Sequence, residues 1–248
     1  MAIKNSLNNA SSSFAVTNGI TNTTGTVTLN SGTSVLSLSS DASATTVNLA
    51  TGNAVKTVTL GSTSSTSSLA LKYGTNDFTL ASATGTTMSA LDTGEITYPL
   101  QSAFLAYLGS TVSNVTGAGA TFTIGTTTAL TEVFDQNSDF NTNGTYTAPV
   151  TGRYYLTGSI QMADLTAAMS SAAIRMNTSN RLYVVGTISA GAVKDASNQV
   201  GFLIDLLGDM DLGDTATLQI VIASGVGDTA DCTGSSDLLT YFCGYLAC

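Results

Sequence analysis

The chain has 248 residues and a formal net charge of −9, and it contains no histidine. The lack of histidine excludes catalysis that depends on an imidazole, such as a Ser-His-Asp triad, and it excludes His-ligated zinc. The acidic balance argues against nucleic acid and anionic membranes as partners, because binding gains nothing from the release of phosphate counter-ions. No apolar run approaches the roughly 18 residues of a membrane-spanning helix, so no membrane insertion is expected.

The remaining composition predicts an all-β protein. Only 9% of the residues are charged and 43% are hydrophobic, which is the opposite of the pattern typical of disordered chains. Thr, Val, Leu, Tyr and Phe favour strands, and 24 glycines with two prolines suit short strands joined by tight turns. We therefore expect a non-enzymatic β protein without a cofactor.

Residues 1–25 are predicted to be an N-terminal attachment segment. Only Phe14, Val16 and Ile20 offer apolar anchors within a run of Asn, Ser and Thr. Such a segment orders on a partner, here other proteins of a larger particle, or it is a frayed terminus. One lysine and no apolar core stand at its start, so we expect no secretory signal.

Residues 26–98 are predicted to form a β-repeat fibre stalk. A cassette of two apolar residues flanking a small one recurs with starts 9 or 11 residues apart, and turn-forming residues lie between the cassettes. The cassettes are Val27-Thr28-Leu29, Leu36-Ser37-Leu38, Val47-Asn48-Leu49, Val58-Thr59-Leu60, Leu69-Ala70-Leu71 and Phe78-Thr79-Leu80. A fixed period indicates a repeating architecture.

The stalk is expected to need more than one chain. The few large apolar side chains of one repeat return less free energy than the ordering of its backbone costs. Three chains wound around a common axis would share one apolar core and pair the strand edges that a single ribbon leaves open. A single-chain β-solenoid and a flexible Ser/Thr-rich linker are the alternatives.

Residues 99–248 are predicted to form a jelly-roll β-sandwich head. Large apolar residues become denser after Pro99, and no helical pattern is present. Strands are expected near 103–108, 121–124, 130–134, 145–148, 152–160, 171–176, 181–188, 199–206, 215–223 and 238–246.

The head resembles a known family. The stretch that begins at Phe134, FDQNSDFNTNGTYTAPVTGRYYLTGSI, is similar to the signature of complement-type globular heads, which are tumour-necrosis-factor-like jelly rolls. Two later landmarks agree, Leu212-Gly213-Asp214 and Phe242-Cys243-Gly244-Tyr245-Leu246, whereas Leu156 and Gly158 replace residues that are aromatic in the family. The resemblance implies a homotrimer with a recognition role. The N-terminus and the Ser/Thr/Gly-rich stalk resemble, less specifically, bacteriophage tail and head fibres.

Two further sets of residues are candidates for chemistry. Some members of the family hold calcium, so the acidic cluster of the head is a weak Ca²⁺ candidate, with solvated turn residues as the alternative. Its members are Asp205, Asp209, Asp211 and Asp214. The three cysteines, Cys232, Cys243 and Cys248, lie near the C-terminus, either as plain thiols or as links between neighbouring chains.

Receptor-binding residues are expected on loops at the outer end of the head, because the stalk joins the other end near Pro99. Three segments rich in Asn, Ser and Asp suit hydrogen bonding to sugars, and equally suit ordinary turns: 135–139, 176–180 and 194–198. The candidate residues in them are Asp135, Asn137, Asp139, Asn177, Asn180, Asp195 and Asn198.

The sequence leaves several functions open. The first is a bacteriophage tail or head fibre, assembled in the bacterial cytoplasm, whose trimeric head binds a host surface glycan or protein. The alternatives are a purely structural capsid-decorating fibre and a filament or matrix protein of the bacterial surface. A glycan depolymerase is disfavoured, because Glu95 and Glu132, the only glutamates, lie in different segments and offer no carboxylate pair.

Overall fold

The computed structural model describes residue 58, residues 71–72 and residues 76–248. The attachment segment, and the cassettes from Val27 to Leu71 wholly or in part, lie outside these residues, so the predicted stalk stays a prediction. The chain divides into two compact units, Met1–Ala70 and Leu71–Cys248, and all that follows concerns the second. No helix in the described part of the chain is long and apolar enough to cross a membrane.

A small antiparallel sheet comes first in the described chain. It consists of β1 (Phe78–Ser82), β2 (Gly85–Ala90) and β3 (Ile96–Thr97), paired in sequence order. Strand β1 contains the last cassette, and a two-residue turn joins it to β2. The side chains of Leu80 and Ile96 are exposed, so the sheet hides little apolar surface of its own.

Two larger sheets form the head. Sheet I has the order β5-β15-β10-β16-β4-β7, with β13 also paired to β10. Its strands are β4 (Ala103–Tyr107), β5 (Val112–Thr116), β7 (Thr131–Gln136), β10 (Gly152–Ala163), β13 (Val200–Met210), β15 (Ala230–Cys232) and β16 (Tyr241–Leu246). The first strand of the sandwich, β4, thus pairs with the last, β16.

Sheet II has the order β12-β11-β14-β9-β8, with β6 also paired to β14. Its strands are β6 (Thr121–Thr123), β8 (Phe140–Asn141), β9 (Thr145–Thr147), β11 (Ser171–Thr178), β12 (Leu182–Ile188) and β14 (Thr215–Ala223). A single helical turn, α1 (Ala190–Val193), lies between β12 and β13.

The two sheets share one apolar core. Burial alternates strictly along the long strands, because successive side chains of a strand point to opposite faces. Leu156 and Ile160 of β10 are fully buried, as are Leu218 and Ile220 of β14, and all four belong to the same cluster. The outward residues of each sheet are therefore fixed by the same alternation.

A cluster of aromatic side chains fills the part of the core near β4. The ring of Phe104 stacks on Phe140 and Tyr146, with centroid separations of 4.6 and 4.7 Å, and meets Phe242 edge-on at 4.9 Å. Tyr146 and Tyr154 are also in contact, at 5.7 Å. Four aromatic residues of the sequence landmarks, Phe140, Tyr146, Tyr154 and Phe242, are thus core residues that hold the two sheets together.

The predicted all-β, two-sheet jelly roll is confirmed, and each predicted strand of the head overlaps an observed one. The short strands β5, β8 and β15 and the helical turn α1 were not predicted. No side chain fits at position 158, which explains why Gly158 replaces an aromatic residue. A Cβ there would lie 2.4 Å from Leu218 Cδ2 and 3.0 Å from the Tyr241 carbonyl oxygen. The smaller Leu156 is fully buried beside it.

Candidate functional site

The head has two ends, which the strand register defines. At the entry end, the chain runs through residues 98–101 into β4, and Gln136 Nε2 donates hydrogen bonds to the carbonyls of Tyr98 and Pro99, both at 2.9 Å. Strand β10 begins at this end with Gly152 and finishes at the far end with Ala163. The C-terminus also lies at the entry end, since Arg153 N–H donates to the Cys248 carbonyl at 2.7 Å.

Two of the three predicted recognition loops lie at the entry end of the head and not at the predicted outer end. The loop with Asp135, Asn137 and Asp139 adjoins Gln136 and therefore lies at the entry end. The loop with Asn177 and Asn180 lies there as well. The expectation that these loops occupy the outer end is wrong, because the β7–β8 and β11–β12 connections both turn at the end where the chain enters.

The placement of the second of these loops follows from its hydrogen bonds. Asn180 Nδ2 donates to Asp214 Oδ2 at 2.7 Å, and Ser179 N–H donates to the Thr215 carbonyl at 2.9 Å. Ala148 N–H donates to the Asp214 carbonyl at 2.8 Å, which joins this corner to the segment that leads into β10.

The third loop does lie at the far end. The Asn198 carbonyl accepts a hydrogen bond of 3.1 Å from Leu165 N–H, just beyond the end of β10. Asp195 Oδ1 accepts the N–H groups of Ser197 and Gln199 at 2.9 and 2.8 Å, so this carboxylate stabilises its own turn. Whether the loop recognises a partner stays a prediction.

The acidic cluster does not converge on one point. Asp209 pairs with Arg181 at 2.9 Å, Asp214 accepts the Asn180 amide and the Asp211 N–H, and Asp205 lies exposed on β13. Within the residues that the structure describes, no three His, Cys, Asp or Glu side chains are placed to hold a metal. Asp209, Asp211 and Asp214 serve as turn and ion-pair residues and Asp205 is an exposed strand residue, so the sequence proposal of a calcium site gains no support from their positions.

Asp139 is a carboxylate of the entry end whose pKa is raised. Its Oδ2 is shielded from solvent and has no hydrogen-bond partner within residues 76–248. Burial raises the pKa of Asp139, the Ser102 hydroxyl offsets part of the rise, and the charge of Asp135 adds to it. Asp135 lies close because its carboxylate accepts the N–H groups of Asp139 and Phe140, both at 3.1 Å. The surroundings of Asp139 thus disfavour its ionised form.

We expect Asp139→Asn to raise the free energy of unfolding at pH 7. The folded-state pKa lies above the unfolded value, so ionised Asp139 destabilises the fold at pH values above both, and this cost disappears as the pH falls through them. The gain should therefore shrink toward zero near pH 3, measured by urea denaturation at fixed protein concentration. Asp164→Asn, at an exposed position, is the control. An equal gain for both variants, or a gain that grows toward low pH, would contradict the role of Asp139.

The outward side of sheet I is rich in large apolar residues, and we call it the tyrosine face. Cross-strand register places its residues in three rows across β7, β4, β16, β10 and β13. The rows are Gln136–Ala103–Tyr245–Tyr155–Leu207, Phe134–Leu105–Cys243–Thr157–Asp205 and Thr131–Tyr107–Tyr241–Ser159–Leu203. The exposed fractions of Phe134, Tyr245, Leu203 and Leu207 are 48%, 47%, 57% and 58%. A face this apolar in a solvated sandwich is typical of an interaction surface.

The cysteines are all free thiols in this chain. Burial raises the pKa of the Cys232 thiol to about 12, and burial also raises the pKa of Cys243. Both therefore stay protonated at neutral pH and are poor nucleophiles. Cys232 is a core residue, Cys243 lies in the tyrosine face, and Cys248 is exposed at the entry end.

The outward side of sheet II has the opposite character, and we call it the polar face. Its members alternate with the core residues of β11, β14, β6 and β9. They are Ser171, Ala173, Arg175, Asn177, Thr215, Thr217, Gln219, Val221, Ala223, Thr121, Thr123, Thr145 and Thr147. Arg175 is the one charged side chain among them.

No family model matches the chain, and neither does any curated protein sequence. The chain is similar to solved jelly-roll structures. One is the globular domain of the zebrafish complement 1qA protein, with 16% identity over 60% of this chain and 98% of that one, at a TM-score of 0.40. Another is murine APRIL, with 12% identity over 59% and 98% of the respective chains, also at 0.40. The β-sandwich itself rests on the strand pairings described above.

Sequence reasoning missed the tyrosine face, although its signal was present. Alternating residues such as Leu105 and Tyr107, or Tyr241, Cys243 and Tyr245, mark an apolar side that is not the core side. Two apolar sides on one strand indicate a strand covered on both faces. The predicted sites were sought only in loops, where polar residues are conspicuous.

Proposed function

We propose that this chain is a non-enzymatic virion fibre protein whose head assembles as a homotrimer and adheres to the surface of a bacterial host. The observation that carries the proposal is the tyrosine face. Three rows of outward side chains, dominated by Tyr, Leu and Phe, would be costly to leave in water on a monomer. Self-association removes that surface from solvent.

A cyclic trimer needs two different surfaces, since each protomer meets its neighbours through a heterologous contact. The tyrosine face supplies the first. The second is the edge strand β12, which pairs only with β11 and leaves Leu182, Val184, Val185 and Ile188 largely exposed. The two surfaces together would close a ring and cover the free edge of sheet II.

The ends of the head fit a fibre. Within residues 98–248 the chain enters β4 and leaves β16 at the same end of the head, so loops between strands form the far end. In a trimer all three far ends would point away from the stalk, and three copies of each surface would add avidity to weak single contacts. Residues 1–25 would attach the fibre to other virion proteins, and residues 26–98 would form the intertwined stalk.

Native mass spectrometry and a cell-adsorption assay on the full chain test the two halves of this proposal separately. We expect trimers at micromolar concentration. We also expect saturable adsorption of the labelled chain to cells of the bacterial host. A stable folded monomer would overturn the trimer. Trimers that adsorb to no cells would overturn the adhesive role and favour the decorating fibre.

A further inference from the structure

The polar face is a flat array of hydrogen-bonding side chains around a single cation. Register across β12, β11, β14 and β6 places Val184, Arg175, Gln219 and Thr123 in one row. The next row, across β12, β11, β14 and β9, contains Leu182, Asn177, Thr217 and Thr145. Amide, hydroxyl and guanidinium side chains thus start about 5 Å apart across the strands and roughly 6.5–7 Å apart along them.

Arg175 has no acidic partner on this surface. The one ion pair within residues 76–248 joins Arg181 to Asp209 elsewhere. The Nε of Arg175 is shielded from solvent, yet it has no hydrogen-bond partner in the described part of the chain. Buried donors are almost always paired, so the described chain leaves this guanidinium without a compensating acceptor, and a bound anion would supply the missing charge partner. A guanidinium presents five N–H donors in a planar fork that matches a carboxylate.

The side chains around Arg175 indicate which other chemical groups a binding partner would carry. Gln219 and Asn177 offer amides, and Thr123, Thr217 and Thr145 offer hydroxyls, so the surroundings of the cation are neutral donors and acceptors. A polyanion such as a nucleic acid would need many basic residues, and the chain has only seven against 16 acids. One anionic group on an otherwise neutral, hydroxyl-rich molecule fits this array.

From this arrangement we infer that the polar face binds an acidic saccharide, whose carboxylate pairs with Arg175 and whose hydroxyl groups pair with Gln219, Asn177 and the threonines. The inference rests on the proposed adhesive role and names the class of surface molecule that the head recognises. The polar face is distinct from the tyrosine face, which belongs to the other sheet. In the proposed ring it stays accessible in three copies, with Arg175 at the border of the contact that β12 makes through Leu182 and Val184.

Isothermal titration of the full-length chain with trigalacturonic acid and with its fully methyl-esterified form tests the inference, because the two saccharides differ only in charge. We expect saturable binding of the acid and at least about tenfold weaker binding of the ester, as the loss of one charge-assisted pair implies. Arg175→Ala should weaken binding of the acid by a similar factor, and Arg175→Lys should restore only part of it because the fork is lost. Gln219→Ala should weaken it less.

Arg181→Ala is the matched control, since it removes the same charge at an arginine that already has a carboxylate partner. Unchanged binding by Arg175→Ala, equal binding of acid and ester, or no saturable binding of the acid would overturn the inference. Dissociation of the oligomer by Arg175→Ala would also overturn it, because Arg175 would then be an interface residue. If the saccharide fails to bind while the unmodified chain still adsorbs to cells, only this inference fails. If the unmodified chain does not adsorb to cells, the adhesive role itself is refuted.

Discussion

Replacing Gly144 with Ala is expected to unfold much of the head or to lower its free energy of unfolding by about 2–5 kcal/mol. Gly144 has a φ of +88°, and a Cβ on it would lie 1.9 Å from the Ile124 carbonyl oxygen. The left-handed conformation alone costs an L-residue roughly 1–2 kcal/mol, and overpacking against a rigid backbone adds about 1–3 kcal/mol. Ile124 cannot move away, because it is buried in the core and its N–H donates to the Leu218 carbonyl at 3.1 Å.

Gly213 provides an unusually close control for this substitution. Its φ is +87°, almost the same as that of Gly144, but a Cβ there would meet no atom within 4 Å. Gly213→Ala should therefore cost only the conformational term, about 1–2 kcal/mol. Urea denaturation of both variants at one protein concentration separates the two contributions. Equal losses would show that the contact with Ile124 is relieved by a backbone shift.

The core could be predicted from the sequence because alternation and aromatic landmarks are local signals. Tyr154 and Leu156 stand two residues apart in the strand predicted near 152–160, and both are fully buried. The landmark Leu212-Gly213-Asp214 contains a glycine, which suits the positive φ observed at Gly213. Such features depend on a few neighbouring residues and need no knowledge of the rest of the chain.

The end of the head at which each loop lies could not be predicted, because it depends on the direction in which each strand runs. The loops at 135–139 and 176–180 share Asn and Ser with the loop at 194–198, yet strand direction places the first two at the entry end and the third at the far end. The strands β8 and β15 are two and three residues long and carry no periodic signal of their own. Their pairing is set by long-range contacts.

The same dependence on strand partners explains why Arg175 attracted no notice in the sequence. A single arginine between Ile174 and Met176 is an ordinary outward residue of a strand. Only the register with β14 and β6 shows that Gln219 and Thr123 share its row and that no acid does. The candidate site is a property of three strands that are far apart in sequence.

Leu105→Asp is expected to convert trimers of the isolated head, residues 99–248, into monomers, because Leu105 lies near the middle of the tyrosine face between Phe134 and Cys243. Association would bury a carboxylate from each chain among apolar side chains without a basic partner, and an uncompensated buried charge costs several kcal/mol at each contact. The side chain of Leu105 points away from the core, so the isolated head should still fold. Sedimentation velocity of this segment, which lacks the predicted stalk, should give the mass of a single head, with an unchanged β-type circular dichroism spectrum.

Val221→Asp is the matched control for this last substitution. Val221 is also a half-buried, outward-facing aliphatic residue of a central strand, but it lies on the polar face, in the row with Ala173 and Thr121. The same chemical change there should leave the trimer intact, because no protomer covers that surface in the proposed ring. Trimers in both variants would show that the heads associate through another surface. Monomers in both would show that a carboxylate on either sheet disturbs the fold, and Leu105 would then carry no special weight in assembly.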